Sequence, residues 1–244
     1  MRWAILQFSE HENWDQVMVD FGRAYHDRSL LDLMSSKLRP GDIYTHLYHP
    51  NPDRGFDGRA GAPFDFMCDA RQRGVIFDVG HGVGAFAWRV AEPACKEHGF
   101  WPDTISTDLH QFNLHGPVHD MPTTMTKFVH LGMPLTRAIR ASTYEPARAM
   151  GLGERFGRLA VGRQADVTLM RLEEGRFELA DVENQVRIAR QRLVAEAVIK
   201  RGVYFTCDHG LPSPAANGNV ALASALREYR GTNSLGGETP CGRD

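Results

Sequence analysis

Three short apolar runs in this 244-residue chain each end on a side chain able to hold a metal or move a proton. Gly41-Asp42-Ile43-Tyr44-Thr45-His46 ends on a histidine, and Val75-Ile76-Phe77-Asp78-Val79-Gly80-His81 ends on a second. Thr104-Ile105-Ser106-Thr107-Asp108-Leu109-His110 ends on an aspartate with a histidine two residues on. Imidazole and carboxylate together suit a hydrolytic zinc-type site, where the metal lowers the pKa of water and a carboxylate shuttles its proton. In a parallel β/α barrel the catalytic groups gather at the carboxyl ends of the strands. Three such ends can therefore serve one site. Of the eleven histidines, eight lie between positions 46 and 130, which favours metal or acid/base chemistry over chance placement.

Each of these residues also has a plainer reading. His46 is either a metal ligand or a strand-end histidine satisfied by backbone. Asp108 is either a proton carrier or a helix N-cap. His81 lies between Gly80 and Gly82, so it either faces a ligand that the backbone approaches closely or sits in a tight turn needing positive φ. The Gly80–Gly84 segment lacks the Lys-Ser/Thr ending of a phosphate loop and the spacing of a dinucleotide fingerprint. His110, His115 and His119 follow Asp108 in a loop and can line the mouth of a site or the surface. Asp78, inside its strand, reads as a buried hydrogen-bonding group.

The elements that position these residues alternate between strand and helix. Strands are expected at 17–22, 42–46, 75–79 and 104–107, with helices over 30–38, 64–73 and 85–98 and a long Pro/Gly/Asp-rich loop over 50–63. Ser29 offers a cap for the first helix. The strand runs are almost continuously apolar, as in a parallel sheet covered on both faces. Helices are expected at 121–131 and 134–150. A turn at 157–166 then feeds strand-like runs ending at 170 and at 177–182 and 194–204, and residues 207–244 read as a flexible tail. With 42% hydrophobic and 24% charged residues, the composition is that of a globular α/β protein. A net charge of −2 invites no nucleic acid, and no apolar run reaches the roughly 20 residues that span a bilayer. The four cysteines show no C-x-x-C spacing, which suits reduced thiols and a cytoplasmic protein.

Taken in order, Leu38–His46, Gly74–Gly84, Pro102–His110, Ser142-Thr143-Tyr144-Glu145-Pro146-Ala147-Arg148 and Gly157–Met170 resemble the amidohydrolase superfamily, in its dihydroorotase-like deacetylase branch. The resemblance covers about residues 15–206. It implies a partial (β/α)8 TIM-type barrel, strands 5–8, over residues 17–150, followed by part of a flanking β-sandwich over 151–206. Residues 1–16 form an atypical amino-terminal segment on this reading. The resemblance further implies that His46 is the sixth-strand metal ligand, that Asp108 is the eighth-strand ligand and proton shuttle, and that His81, with Gly82 and His110, faces the substrate. One or two divalent ions, zinc above all, are the implied cofactor. Two departures stand out. Asp20 occupies the fifth-strand position where a histidine is usual, and can ligate through oxygen or act behind the ligands. No upstream His-x-His pair or bridging lysine precedes Val17.

The expected function is metal-dependent hydrolysis of C–N amide bonds other than peptide bonds, on a small-molecule amide substrate, with a homo-oligomer as the candidate assembly and no nucleic-acid or membrane partner. The alternative is an inactive remnant that acts through a partner if at all.

Overall fold

The computed structural model describes residues 5–7, 16–21, 29–51, 54–58 and 60–207. Most of the expected amino-terminal segment and tail therefore lie outside the described residues. Strand β1 (Ile5–Gln7) pairs antiparallel with β2 (Val17–Val19), with Ile5 opposite Val19. Strand β2 pairs in parallel with β3 (Ile43–Tyr44), and β3 in parallel with β4 (Ile76–Phe77), giving one sheet in the order β1-β2-β3-β4.

The crossovers carry the helices. A single turn, α1 (Leu30–Asp32), is capped by the Ser29 hydroxyl, which accepts from Asp32 N at 3.2 Å; a π-helical stretch, Leu33–Lys37, continues it. Helix α2 (Asp65–Arg73) stops at Gly74, whose φ of 100° closes the last turn as only glycine does cheaply. Helix α3 (Trp88–Lys96) follows β4. Helix α4 (Met121–Leu131) has Asp120 as its N-cap and Gly132 as its left-handed stop, which matches the sequence expectation. The long helix expected at 134–150 is instead two, α5 (Leu135–Ser142) and α6 (Tyr144–Ala149), because Thr143 leaves helical geometry at φ −132°, ψ −76°.

Thr104–Thr107 is extended but is not a regular strand. Thr104 forms one parallel bridge to Asp78, after which His81 N donates to Ser106 O at 3.2 Å and Gly82 N to Thr107 O at 3.0 Å. The segment thus runs beside β4 and stays hydrogen-bonded along the Gly80–Gly82 loop.

The second sheet is antiparallel, in the order β5-β6-β7. Strand β5 (Val167–Ala180) and β6 (Val186–Lys200) are far longer than expected, and β7 (Val203–Thr206) completes the edge. The polar stretch between Met170 and Phe177 stays in the strand because its charges pair across it: Arg171 with Glu196 at 2.7 Å and Glu173 with Arg192 at 2.6 Å.

One core joins the two sheets. Tyr48, Phe86, Trp88 and Phe128 are wholly buried, with Tyr48 and Phe128 ring centroids 5.9 Å apart and Phe86 and Trp88 at 5.0 Å. The Trp88 indole donates to Leu179 O at 3.1 Å. Buried Asp181 accepts from the backbone of Trp88, Glu183 and Gln185, each at 2.8 Å, so it caps α3 and shapes the β5–β6 turn together. Among the described residues no helix is long and apolar enough to cross a membrane.

Candidate active site

Asp20, His46 and the Gly80–Gly82 loop follow directly from β2, β3 and β4 at their carboxyl ends, and Asp108 follows the extended 104–107 segment. Buried Asp78 fixes these ends to one another. Its carboxylate accepts from Thr45 Oγ1 at 2.7 Å, Thr104 Oγ1 at 2.6 Å and Ser106 Oγ at 2.6 Å, so the end of β3 and the 104–107 segment are both tied to the residue that follows β4. Such a carboxylate loses all its hydrogen bonds at once if the register slips, which makes it a locator rather than a reactant.

His46 and Asp108 both adopt left-handed backbone, with φ of 64° and 47°. Positive φ is uncommon away from glycine and costs of the order of 1–3 kcal/mol where the surroundings enforce it. Here it turns each side chain off the end of its strand. The His46 ring has Nδ1 2.5 Å from Gly80 O, which leaves Nε2 pointing to Asp20 Oδ2 at 3.7 Å. The sequence expected His46 and Asp20 in one site, and the structure brings them together. On its other side Asp20 meets Arg54, with Nη2 3.5 Å from Oδ1.

The two glycines are required by close approach. A methyl group on Gly80 (φ 46°) would fall 2.1 Å from Thr45 Oγ1 and 2.7 Å from His46 Nδ1, and one on Gly82 (φ 51°) 2.7 Å from Asp108 Oδ2. Gly82 therefore contributes backbone that abuts the Asp108 carboxylate. Asp108 itself is exposed, and its carbonyl accepts from the Asn113 amide at 2.8 Å, while Asn113 Oδ1 accepts from His110 N at 2.8 Å. Buried Asn113 thus holds the loop that carries Asp108 and His110. The His110 ring accepts from Phe112 N at 3.2 Å through Nδ1 and packs beside the Phe112 ring.

His81 differs from its expected role. Its ring is 0% exposed, stacks on Phe86 at 4.8 Å and has no face open to a substrate. Nδ1 lies 3.0 Å from Gly82 O and Nε2 2.6 Å from Lys127 Nζ. Burial first, and the Lys127 charge next, push its pKa down to about 3, so the ring is neutral, donating to Gly82 O and accepting from Lys127. Lys127 was not singled out in the sequence. It is fully buried, also donates to Pro117 O at 2.9 Å and Ala180 O at 2.7 Å, and burial pulls its pKa down to about 7. One ammonium thereby ties the Gly-His-Gly loop to the Asp108 loop and the second sheet. Spacing gave no signal for it, because the burial of its helix neighbours Thr124, Met125, Thr126 and Phe128 appears only in the fold.

A divalent metal ion needs three or more well-placed donors for a stable protein site. Asp20 and His46 are spaced so that one ion could touch both, but among the described residues no group of three or more histidine, cysteine or carboxylate side chains could hold one. These residues alone do not fit a complete metal centre.

Residues 88–220 match the amidohydrolase family model, more than half of the chain. The chain belongs to the amidohydrolase family. It is 34% identical over 165 residues to a deacetylase of Brucella anthropi, covering 65% of this chain and 39% of that protein, so it spans about two fifths of that relative's length. Among solved structures it resembles an adenine deaminase with a TM-score of 0.74 and 30% identity, over 79% of this chain and 51% of the other. It also resembles a dihydroorotase with a TM-score of 0.66 and 27% identity, over 78% and 50% of the two chains.

Proposed function

We propose that this chain carries part of the active site of a metal-dependent hydrolase that cleaves C–N bonds of amides other than peptide bonds, deacetylase- or dihydroorotase-like in chemistry. One observation carries the reading. Asp20 and His46 stand at the ends of the paired strands β2 and β3, Asp108 ends the segment that runs beside β4, and both His46 and Asp108 hold left-handed backbone that their packing must enforce. Family membership and the resemblance to a deacetylase and a dihydroorotase support the same bond class.

On this reading Asp108 takes a proton from the attacking water and returns it to the leaving amine, general base and then general acid. Its exposure gives water access, and the Gly82 backbone lies against its carboxylate. His46, fixed through Nδ1, offers Nε2 to a cation shared with Asp20. Zinc is the ion this reading assigns to that mixed nitrogen and oxygen pair. The sheet β2–β4 with the 104–107 segment then represents strands 5–8 of a barrel, and β5–β7 part of a sandwich.

A second reading is favoured by the want of a third donor among the described residues: an inactive remnant that acts, if at all, through a partner. Metal analysis of the purified protein separates the two. The hydrolase reading expects close to one ion per chain, lost in His46→Ala. Fewer than about 0.1 ions per chain, given the tight binding a finished site shows, favours the remnant.

A further inference from the structure

At the amino end of the segment that leads to Asp108, three guanidinium groups converge on one cleft. A hollow of about 270 Å³ is lined by Pro102, Asp103, Ala141 and Glu145, with Arg137 and Arg140 from α5 and Arg148 from α6. All three arginines are exposed, so a ligand can reach their donors. Arg137 and Arg140 lie one helical turn apart, where like charges repel. Among the described residues Arg137 has no carboxylate partner, and its guanidinium stands 5.6 Å from the Trp101 ring centroid. Arg140 and Arg148 share the one Glu145, each through Nε, at 2.5 Å and 2.8 Å. The Arg140 guanidinium also packs 5.0 Å from the Tyr144 ring centroid. Asp103 is committed elsewhere: it accepts from Phe77 N at 2.8 Å and faces Arg71 Nη2 at 3.7 Å. The three lining arginines and Arg71 behind them thus meet two carboxylates, which leaves a surplus of two positive charges in a chain whose net charge is −2.

We propose that this cleft binds a phosphate dianion, either the free ion or the phosphoryl group of a small ester. The surplus of two positive charges matches the charge of that ligand. Phosphate oxygens point tetrahedrally, so they can take donors arriving from two helices at once, whereas one guanidinium fork already fills a flat carboxylate. The cleft is distinct from the candidate active site. Asp103 precedes the 104–107 segment and Asp108 follows it, so the two sites stand at its opposite ends. They are still mechanically joined, because Ile105 N donates to the carbonyl of Ala141 in the cleft wall at 2.8 Å. The proposal is independent of the hydrolase reading, since the same arginines would hold phosphate in an inactive chain.

Calorimetric titration with inorganic phosphate and with glycerol 3-phosphate tests it without requiring turnover, at fixed ionic strength and about pH 8, where both are dianions. The wild-type chain is expected to bind a dianion at one site, about ten-fold or more tightly than acetate, the scale of one added charge-assisted hydrogen bond. Tighter binding of the ester identifies an organic phosphate as the ligand, and tighter binding of the free ion identifies phosphate itself; each upholds the site. Arg137→Gln removes a guanidinium with no carboxylate partner among the described residues. It should keep the wild-type melting temperature and weaken binding about ten-fold or more. Arg190→Gln, which deletes an exposed arginine at a different cleft, should bind as the wild type does. Binding of neither dianion, acetate bound as tightly as the dianions, undiminished binding in folded Arg137→Gln, or an equal loss in Arg190→Gln would each overturn the proposal.

Discussion

At the scale of single residues, the site depends on backbone that most side chains avoid. His46 and Asp108 hold positive φ while Gly80 and Gly82 open space against them. Asparagine tolerates the left-handed region as well as aspartate does. Asp108→Asn should therefore leave the melting temperature within a few degrees of wild type while removing the group that moves the proton. Gly82→Ala is expected to act differently: the methyl group 2.7 Å from Asp108 Oδ2 displaces the carboxylate. It should cost about 1 kcal/mol of stability, the scale of a strained positive φ, and lower activity well beyond that. Denaturant titration alongside hydrolysis assays separates the two effects. Gly80→Ala should be worse for folding, about 2–4 kcal/mol, because its methyl group meets Thr45 Oγ1 at 2.1 Å, where the hydroxyl already serves Asp78.

At the scale of elements, buried polar groups place the strand ends. Asp78, Asp181 and Lys127 each join segments far apart in sequence. Lys127→Met would strand His81 Nε2 and the Pro117 and Ala180 carbonyls, and should destabilise by about 2–4 kcal/mol in urea unfolding. His81 gives a signed pH dependence. Its folded pKa, about 3, lies below the unfolded value near 6.5, so the unfolded chain binds the extra proton between them. The His81 contribution to stability is thus full above about pH 6.5 and lost as pH falls toward 3. Replacing His81 with phenylalanine should flatten that part of the stability curve; a curve of unchanged slope would show that the ring is not held neutral.

The same elements show what the sequence made legible. Helix α4 was readable as a helix over 121–131, and in the structure Asp120, Pro122 and Gly132 mark its ends chemically. The strand ends at His46 and Asp108 were readable as apolar runs meeting polar groups. The strand β5 was only half legible, since the period-two signal vanishes where Arg171, Glu173 and their cross-strand partners pair. His81 was misread because its neighbouring glycines suggest an open approach. They serve instead the left-handed turn and the room needed by His46 and Asp108, while the imidazole points inward to Lys127. Arg54 and Lys127 carry their meaning in burial and in partners distant along the chain, which spacing alone does not encode.

At the scale of the whole molecule, a parallel sheet and an antiparallel sheet share one aromatic core, and the candidate site sits at the carboxyl ends of the parallel strands. The chain belongs to the amidohydrolase family and spans about two fifths of the Brucella anthropi deacetylase and half of the dihydroorotase it resembles. The central claim is that the Asp20–His46–Asp108 ends carry part of a hydrolytic site in which Asp108 moves the proton. It is tested most directly by kcat/KM for hydrolysis of an N-acyl substrate, measured on zinc-supplemented wild-type and Asp108→Asn protein. The account predicts measurable wild-type hydrolysis and a fall of about 10²–10⁴-fold in the variant, the range for loss of a general acid/base. Equal rates in the two proteins, or no hydrolysis by the zinc-supplemented wild type, would contradict it.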